Sequence, residues 1–194
     1  MKLSLNLVVA TDKKWIEAVM NDFNSFLQDH ANCERKASAM ATSLVAKYPD
    51  RVKIIPDLID TAIEEMEHFR DVYKIMHERG VSLAKEIKED IYVRKLIDAC
   101  RTGREERFLD RLLLGSVIEC RGAERFRIVY ENLEEKGLKD FYHLLWASEA
   151  KHGNIFVKMA LNYFPEEVVY KRLNEVNEIE GAIIASLPFT AALH

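Results

Sequence analysis

Two short stretches, "EEMEH" and "SEAKH", each set a glutamate three residues ahead of a histidine: Glu65 with His68, and Glu149 with His152. On a helix, that spacing puts both side chains on one face, a turn apart. The surroundings of both pairs are apolar. Leu58, Ala62, Phe69, Val72 and Met76 share the face of the first pair, and Tyr142, Leu145, Trp146, Gly153, Phe156 and Ala160 that of the second. Acids and imidazoles on a core stripe are costly to bury unless something compensates them. Two further acids lie on core stripes upstream. Glu34 shares a face with Met20, Phe23, Leu27, Ala31, Ala37 and Ala41. In the second half there are two candidates. Glu119 has Leu112, Gly115, Ser116, Gly122, Ala123, Phe126 and Tyr130 on its face, whereas Glu124 meets Arg121, Arg127 and Glu131 and should be wetter. Spacing agrees with Glu119: Glu34 to Glu65 is 31 residues and Glu119 to Glu149 is 30.

The result is a doubled pattern of Glu34, Glu65 and His68, then Glu119, Glu149 and His152. Four carboxylates balance the charge of two divalent ions, and carboxylates can bridge two metals. Each imidazole adds a neutral nitrogen ligand. Helical bundles that hold two iron or manganese ions use this donor set. A single ExxH is usually a solvated helix pair; two of them on core faces, each preceded by a core acid, point to a dinuclear metal site.

Other residues say less. His30 lies one turn before Glu34 on the same face and is either an outer partner of that ligand or a satisfied core histidine; the sequence favours neither. Gly115, Ser116, Gly122 and Ala123 flank Glu119 with small side chains, which suits a substrate or oxygen pocket and close helix packing equally. Tyr73 and Tyr142 lie near the ligands in sequence and are explained by core packing. His77, His143 and His194 read as surface or helix-end residues, and Cys33 and Cys120 as small buried thiols.

The elements that must carry these side chains are helices. Gly (7) and Pro (4) are scarce in the 194 residues, and no long stretch alternates apolar with polar. A first helix, capped by Thr11 or Asp12, is expected to run to Lys47, before Tyr48-Pro49. A second should start near Pro56 and end at Gly80. A short helix around 91–100 follows. Thr102 and Glu105 suggest a capping box for a third long helix, ending at Lys136 with Gly137 as its stop. The fourth spans 139–164 and a fifth 166–186. Two hairpins joined by one long crossover predict an all-α, ferritin-like four-helix bundle with an additional C-terminal helix packed outside it, as one domain over 1–194.

Composition bounds the function. With 48% hydrophobic and 31% charged residues, the chain is of ordinary soluble type. A net charge of -4 gives no global drive toward nucleic acid. Three cysteines without a CxxC pair read as reduced thiols. The N-terminal apolar run is too short to span a membrane, and a cytoplasmic location is expected.

"DHANCERKAS", "EEMEHF", "RLLLGSVIECRGAERF" and "SEAKH" together resemble the tRNA 2-methylthio-isopentenyl-adenosine hydroxylase family, whose members are ferritin-like non-haem di-iron monooxygenases. The resemblance covers nearly the whole chain. It implies iron at Glu34, Glu65, His68, Glu119, Glu149 and His152. It also implies O₂ as co-substrate, two electrons from an external donor, and hydroxylation of an isopentenyl group beside the tRNA anticodon. A tRNA partner needs a cationic surface. Arg94, Lys95, Arg101, Arg104, Arg107 and Arg111 gather around the crossover, and Arg121, Arg125 and Arg127 form a second group; any single one is better read as a solvated helix residue, and only as a cluster does RNA contact weigh evenly against that. The competing readings are a ferritin- or rubrerythrin-like protein that oxidises iron or reduces peroxide, a manganese catalase, and a metal-free helical module. The missing CxxC speaks against rubrerythrin, and six core ionisable groups speak against the last.

Overall fold

The computed structural model describes residues 5–86 and 89–194. Residues 1–4, at the head of the N-terminal apolar run, lie outside the described part. Seven helices and no strand occur among the described residues: α1 (Lys13–Asn21), α2 (Phe23–Lys47), α3 (Ile55–Glu78), α4 (Ile91–Asp98), α5 (Arg104–Asn132), α6 (Lys136–Leu161) and α7 (Glu166–Ser186). No helix among them is long and apolar enough to cross a membrane. The chain divides into two compact units, one of residues 13–89 with 189–193, the other of residues up to 12 with 90–188 and 194.

The first unit is built on the α2–α3 hairpin. Its direction follows from its cross-helix contacts. Gln28 donates to the Ser82 carbonyl, Glu34 lies 3.7 Å from His68, and Ser38 donates to the Ala62 carbonyl, so rising numbers on α2 meet falling numbers on α3. The expected first helix is divided. Asp22 leaves helical geometry and its carboxylate accepts from the Ser25 backbone N–H, capping α2 and ending α1. The apolar stripe through Met20, Phe23 and Leu27 continues across this break and masks it in the sequence. Nor does Thr11 cap α1: its N–H and hydroxyl both donate to Glu124. At the far end of α3, Gly80 has φ 67°, its N–H reaches the His77 carbonyl, and the Val81 N–H reaches Met76. This is the Schellman ending expected of Gly80. Residues 189–193 return to this unit, where the Trp15 indole donates to the Ala192 carbonyl and the Leu193 N–H donates to Asp29.

The second unit is built on α5 and α6. Phe108 against Tyr163 and Phe164, Ser116 against Gly153, and Phe126 against Tyr142 show that these helices too are antiparallel. They approach closely where side chains are small. A methyl on Gly115 would sit 3.2 Å from the Phe156 ring, and one on Gly153 would sit 2.7 Å from the Cys120 Sγ. Two boundaries differ from expectation. Gly103, not Thr102, is the N-cap of α5. The link to α6 is Leu133–Glu135, with extended backbone at both ends, so α5 stops at Asn132 and Gly137 lies in the first turn of α6. α4 occupies the crossover, and α7 buries Val169, Leu173 and Val176 against this unit.

Candidate metal centre

α2 and α3 bring three of the expected ligands together. Glu34, Glu65 and His68 each offer a donor atom within 4.8 Å of the others. His68 Nδ1 lies 3.4 Å from Glu65 Oε2 and 3.7 Å from Glu34 Oε2. Both glutamates are buried, at 3% and 1% relative exposure, and the His68 side chain is exposed by 14%. α5 and α6 assemble the matching set in the other unit. Glu119, Glu149 and His152 offer donor atoms within the same 4.8 Å limit, with His152 Nδ1 3.4 Å from Glu149 Oε2. All three are buried.

The two 3.4 Å separations suit a shared ion, and the 3.7 Å one lies just beyond that range. A direct N–H···O bond closes to about 2.7–3.2 Å. Two donors each about 2.1 Å from one ion stand about 3.0–3.4 Å apart at angles between octahedral and tetrahedral. Each triad has two carboxylates and one imidazole, a charge of about -2 that one divalent cation neutralises. Carboxylates this close disfavour each other's ionised form unless a proton or a cation intervenes. The donor set therefore fits one divalent ion per triad.

Glu124, the rejected alternative to Glu119, is occupied elsewhere: it accepts from Thr11 and is ion-paired with Arg121. His30 is fully buried, and its Nε2 lies 2.6 Å from Glu34 Oε1. Ser116 donates to the Gly153 carbonyl at 2.7 Å, so Gly115 and Ser116 both belong to the α5–α6 contact. Gly122 and Ala123 are buried on α5. Tyr142 is buried, whereas Tyr73 is 45% exposed and lies outside the core assigned to it. Cys33 and Cys120 are buried thiols, and burial pushes the Cys120 thiol up to about 11.

The two arginine groups separate. Arg94 and Arg104 are exposed, and Arg107 and Arg111 half-buried. Lys95 donates to Ser186, and Arg101, itself 42% exposed, binds the buried Asp110. The second group is corrected: Arg121 and Arg125 are buried and cannot meet a phosphate, leaving Arg127 exposed beside Glu131. Arg121 donates to Glu180 from Nε at 2.7 Å and Nη2 at 2.9 Å, and to the Val9 carbonyl. Burial disfavours its charge, but the hydrogen bonds and charge of Glu180 outweigh burial and raise its pKa above the ordinary arginine value. Arg125 lacks that balance; burial and the neighbouring Arg121 charge bring it down to about 10. Tyr92 completes the group by donating to Glu180 at 3.1 Å. The sequence carried a signal for Glu180: it lies on the apolar stripe of α7, one turn from Val176 and Ile183.

The family model described as tRNA-(MS[2]IO[6]A)-hydroxylase (MiaE) matches residues 2–194. The chain belongs to this family. A MiaE relative from Pseudomonas putida, named tRNA 2-(methylsulfanyl)-N(6)-isopentenyladenosine(37) hydroxylase, is 36% identical over 91% of this chain and 85% of its own length. A protein of the same name from Salmonella typhimurium is 28% identical over 91% of this chain and 82% of its own length. Among solved structures, "Protein 43 with aldehyde deformylating oxygenase activity from Synechococcus" superposes with a TM-score of 0.90 at 28% identity, covering 98% of this chain and 93% of that one. The fold of this MiaE-family chain is all-α and ferritin-like, with two helical hairpins, a crossover carrying α4 and an additional C-terminal α7.

Proposed function

We propose that the chain is a di-iron monooxygenase that hydroxylates the isopentenyl side chain of 2-methylthio-isopentenyl-adenosine in tRNA. The observation that carries this reading is the pair of buried Glu-Glu-His triads, one in each helical hairpin, in a chain of the MiaE family. The two units act as halves of one domain over 1–194, with Glu34, Glu65 and His68 holding one metal and Glu119, Glu149 and His152 the other. When bound, the metals supply the redox chemistry by which O₂, two electrons from an external donor and two protons yield one hydroxyl on carbon and one water.

The protein's own contribution is positional. Within each hairpin the long helices fix three donors on one stripe, and the apolar side chains on that stripe keep them dry. The modified adenosine must leave the anticodon-loop stack to reach it, as base-modifying enzymes generally require. Arg104, Arg107 and Arg111, with Arg94 and Arg101 nearby, supply cations to the tRNA backbone. The setting for such a substrate is the cytoplasm.

The test is direct. Purified protein is loaded with ferrous iron, given reductant, O₂ and tRNA bearing the unhydroxylated nucleoside, and the digested nucleosides are weighed. A gain of one oxygen on the isopentenyl group, lost in Glu119→Ala, is the expected result. Iron binding without that gain would overturn the substrate assignment and turn attention to peroxide.

A further inference from the structure

The two triads match in residue type, and a buried histidine adjoins the first of them. In the first, His30 sits one turn before Glu34, fully buried, with Nε2 2.6 Å from Glu34 Oε1. Once a metal keeps Glu34 ionised, that carboxylate only accepts, so Nε2 then carries the proton and donates. The ring also packs near Phe26, whose centroid is 5.9 Å away. Glu34 Oε1 is thereby taken up, and Oε2 is the oxygen that lies toward His68, at 3.7 Å. In the second triad, the position one turn before Glu119 is Gly115, which has no side chain to donate, and a methyl there would already press on Phe156 at 3.2 Å. The doubled sequence pattern is therefore broken at this place.

The geometry points to His30 as a positioning residue for one metal position, holding Glu34 by one oxygen and presenting the other to the metal of the Glu34–Glu65–His68 triad. A carboxylate held this way loses little freedom when it binds and has one oxygen left to offer. The inference rests on the two-metal reading.

Cobalt(II) added to the metal-depleted full chain tests it, with heat and visible absorption followed together. His30→Met fills the space without a donor, and His30→Gln fills it with an amide N–H that can reach Glu34. The wild type should bind two equivalents. In His30→Met, one equivalent should weaken by about 10–100-fold, the usual effect of losing a ligand's hydrogen-bond partner, while the other stays within about threefold. His30→Gln should recover most of the loss, and only the altered equivalent should change its absorption band. Two equivalents with unchanged affinity in His30→Met would overturn the proposal alone. Equal weakening of both, or failure of His30→Gln to recover, would overturn it too. A wild type that binds no cobalt would overturn the two-metal reading as well.

Discussion

The buried pair Arg121–Glu180 offers the sharpest test of the second unit. Glu180 and Arg121 are both 0% exposed, and Glu180 accepts two bonds from the guanidinium and one from Tyr92. Replacing Glu180 by leucine removes the counter-charge and leaves the cation in place. Losing one partner of a buried pair costs about 3–5 kcal/mol. The Tyr92 hydroxyl, raised well above its usual pKa by burial and by Glu180, loses its acceptor, at about 1–3 kcal/mol. Arg121 keeps Glu124, Thr11 and the Val9 carbonyl, which offset part of the sum. The net expectation is about 3–5 kcal/mol. For a chain of this length each kcal/mol moves the Tm by about 2–4 °C, so the fall should be about 6–20 °C.

Thermal and urea melts of Glu180→Leu, Arg121→Met and the double variant measure this as a cycle. Glu180→Gln, which keeps an acceptor, should lose less than Glu180→Leu. The double variant should be no less stable than Arg121→Met alone, because its second change removes an acid that has already lost its cation. A loss below about 1 kcal/mol in Glu180→Leu, or strict additivity of the two single losses, would refute the coupling.

Four further outcomes follow from particular residues. Burial opposes the Asp110 charge, but bonds from Arg101 and Arg172 outweigh it and depress its pKa, so its contribution is present above the unfolded value of about 3.9 and lost as pH falls through the folded one; the Tm gap between wild type and Asp110→Asn should close below about pH 4 and be constant above about pH 5. Gly153→Ala should destabilise by about 1–3 kcal/mol, because its methyl would stand 2.7 Å from Cys120 Sγ and 3.3 Å from the Ser116 carbonyl, whereas Gly137→Ala, with nothing within 4 Å, should stabilise by about 0.4–1 kcal/mol in urea melts. Chelation of a chain held at about 100 times its metal Kd should remove about 2.7 kcal/mol, or about 5–11 °C of Tm, for each bound ion, and Glu149→Ala should remove the share of that response owed to the ion of its own triad. Arg104→Ala with Arg107→Ala should lower the salt dependence of tRNA binding by about two units of log–log slope, measured by titration at several salt concentrations.

Much of this molecule was legible in the sequence because helices write a period. The stripes through Leu58–Met76 and Tyr142–Ala160 located their helices and put Glu65, His68, Glu149 and His152 on the inside together. The errors arise where period carries no information. Asp22 ends α1 through a side-chain bond to Ser25, yet the apolar stripe runs on across it. Gly137 punctuates the chain, but a glycine on either side of a short link looks alike in sequence; the helix breaks over Leu133–Glu135. Arg121 looked solvated because its partners lie at Val9, Thr11 and Glu180, far along the chain, and no local pattern announces them.

The buried acids therefore sort by the company they keep rather than by burial. Glu180 meets Arg121, and Asp110 meets Arg101 and Arg172, so each of these acids has its cation within the fold. The acids of the ExxH sets instead meet one another and imidazoles: Glu34 and Glu65 beside His68, Glu119 and Glu149 beside His152. Carboxylates assembled with carboxylates raise one another's pKa unless a cation lies among them, and a neutral imidazole supplies none. An arginine would satisfy such a group permanently, as it does at Asp110. A fold that places arginines on Asp110 and Glu180 but gathers Glu65 and Glu149 with acids and imidazoles builds a donor set for a divalent metal ion, the cation that imidazole and carboxylate bind together.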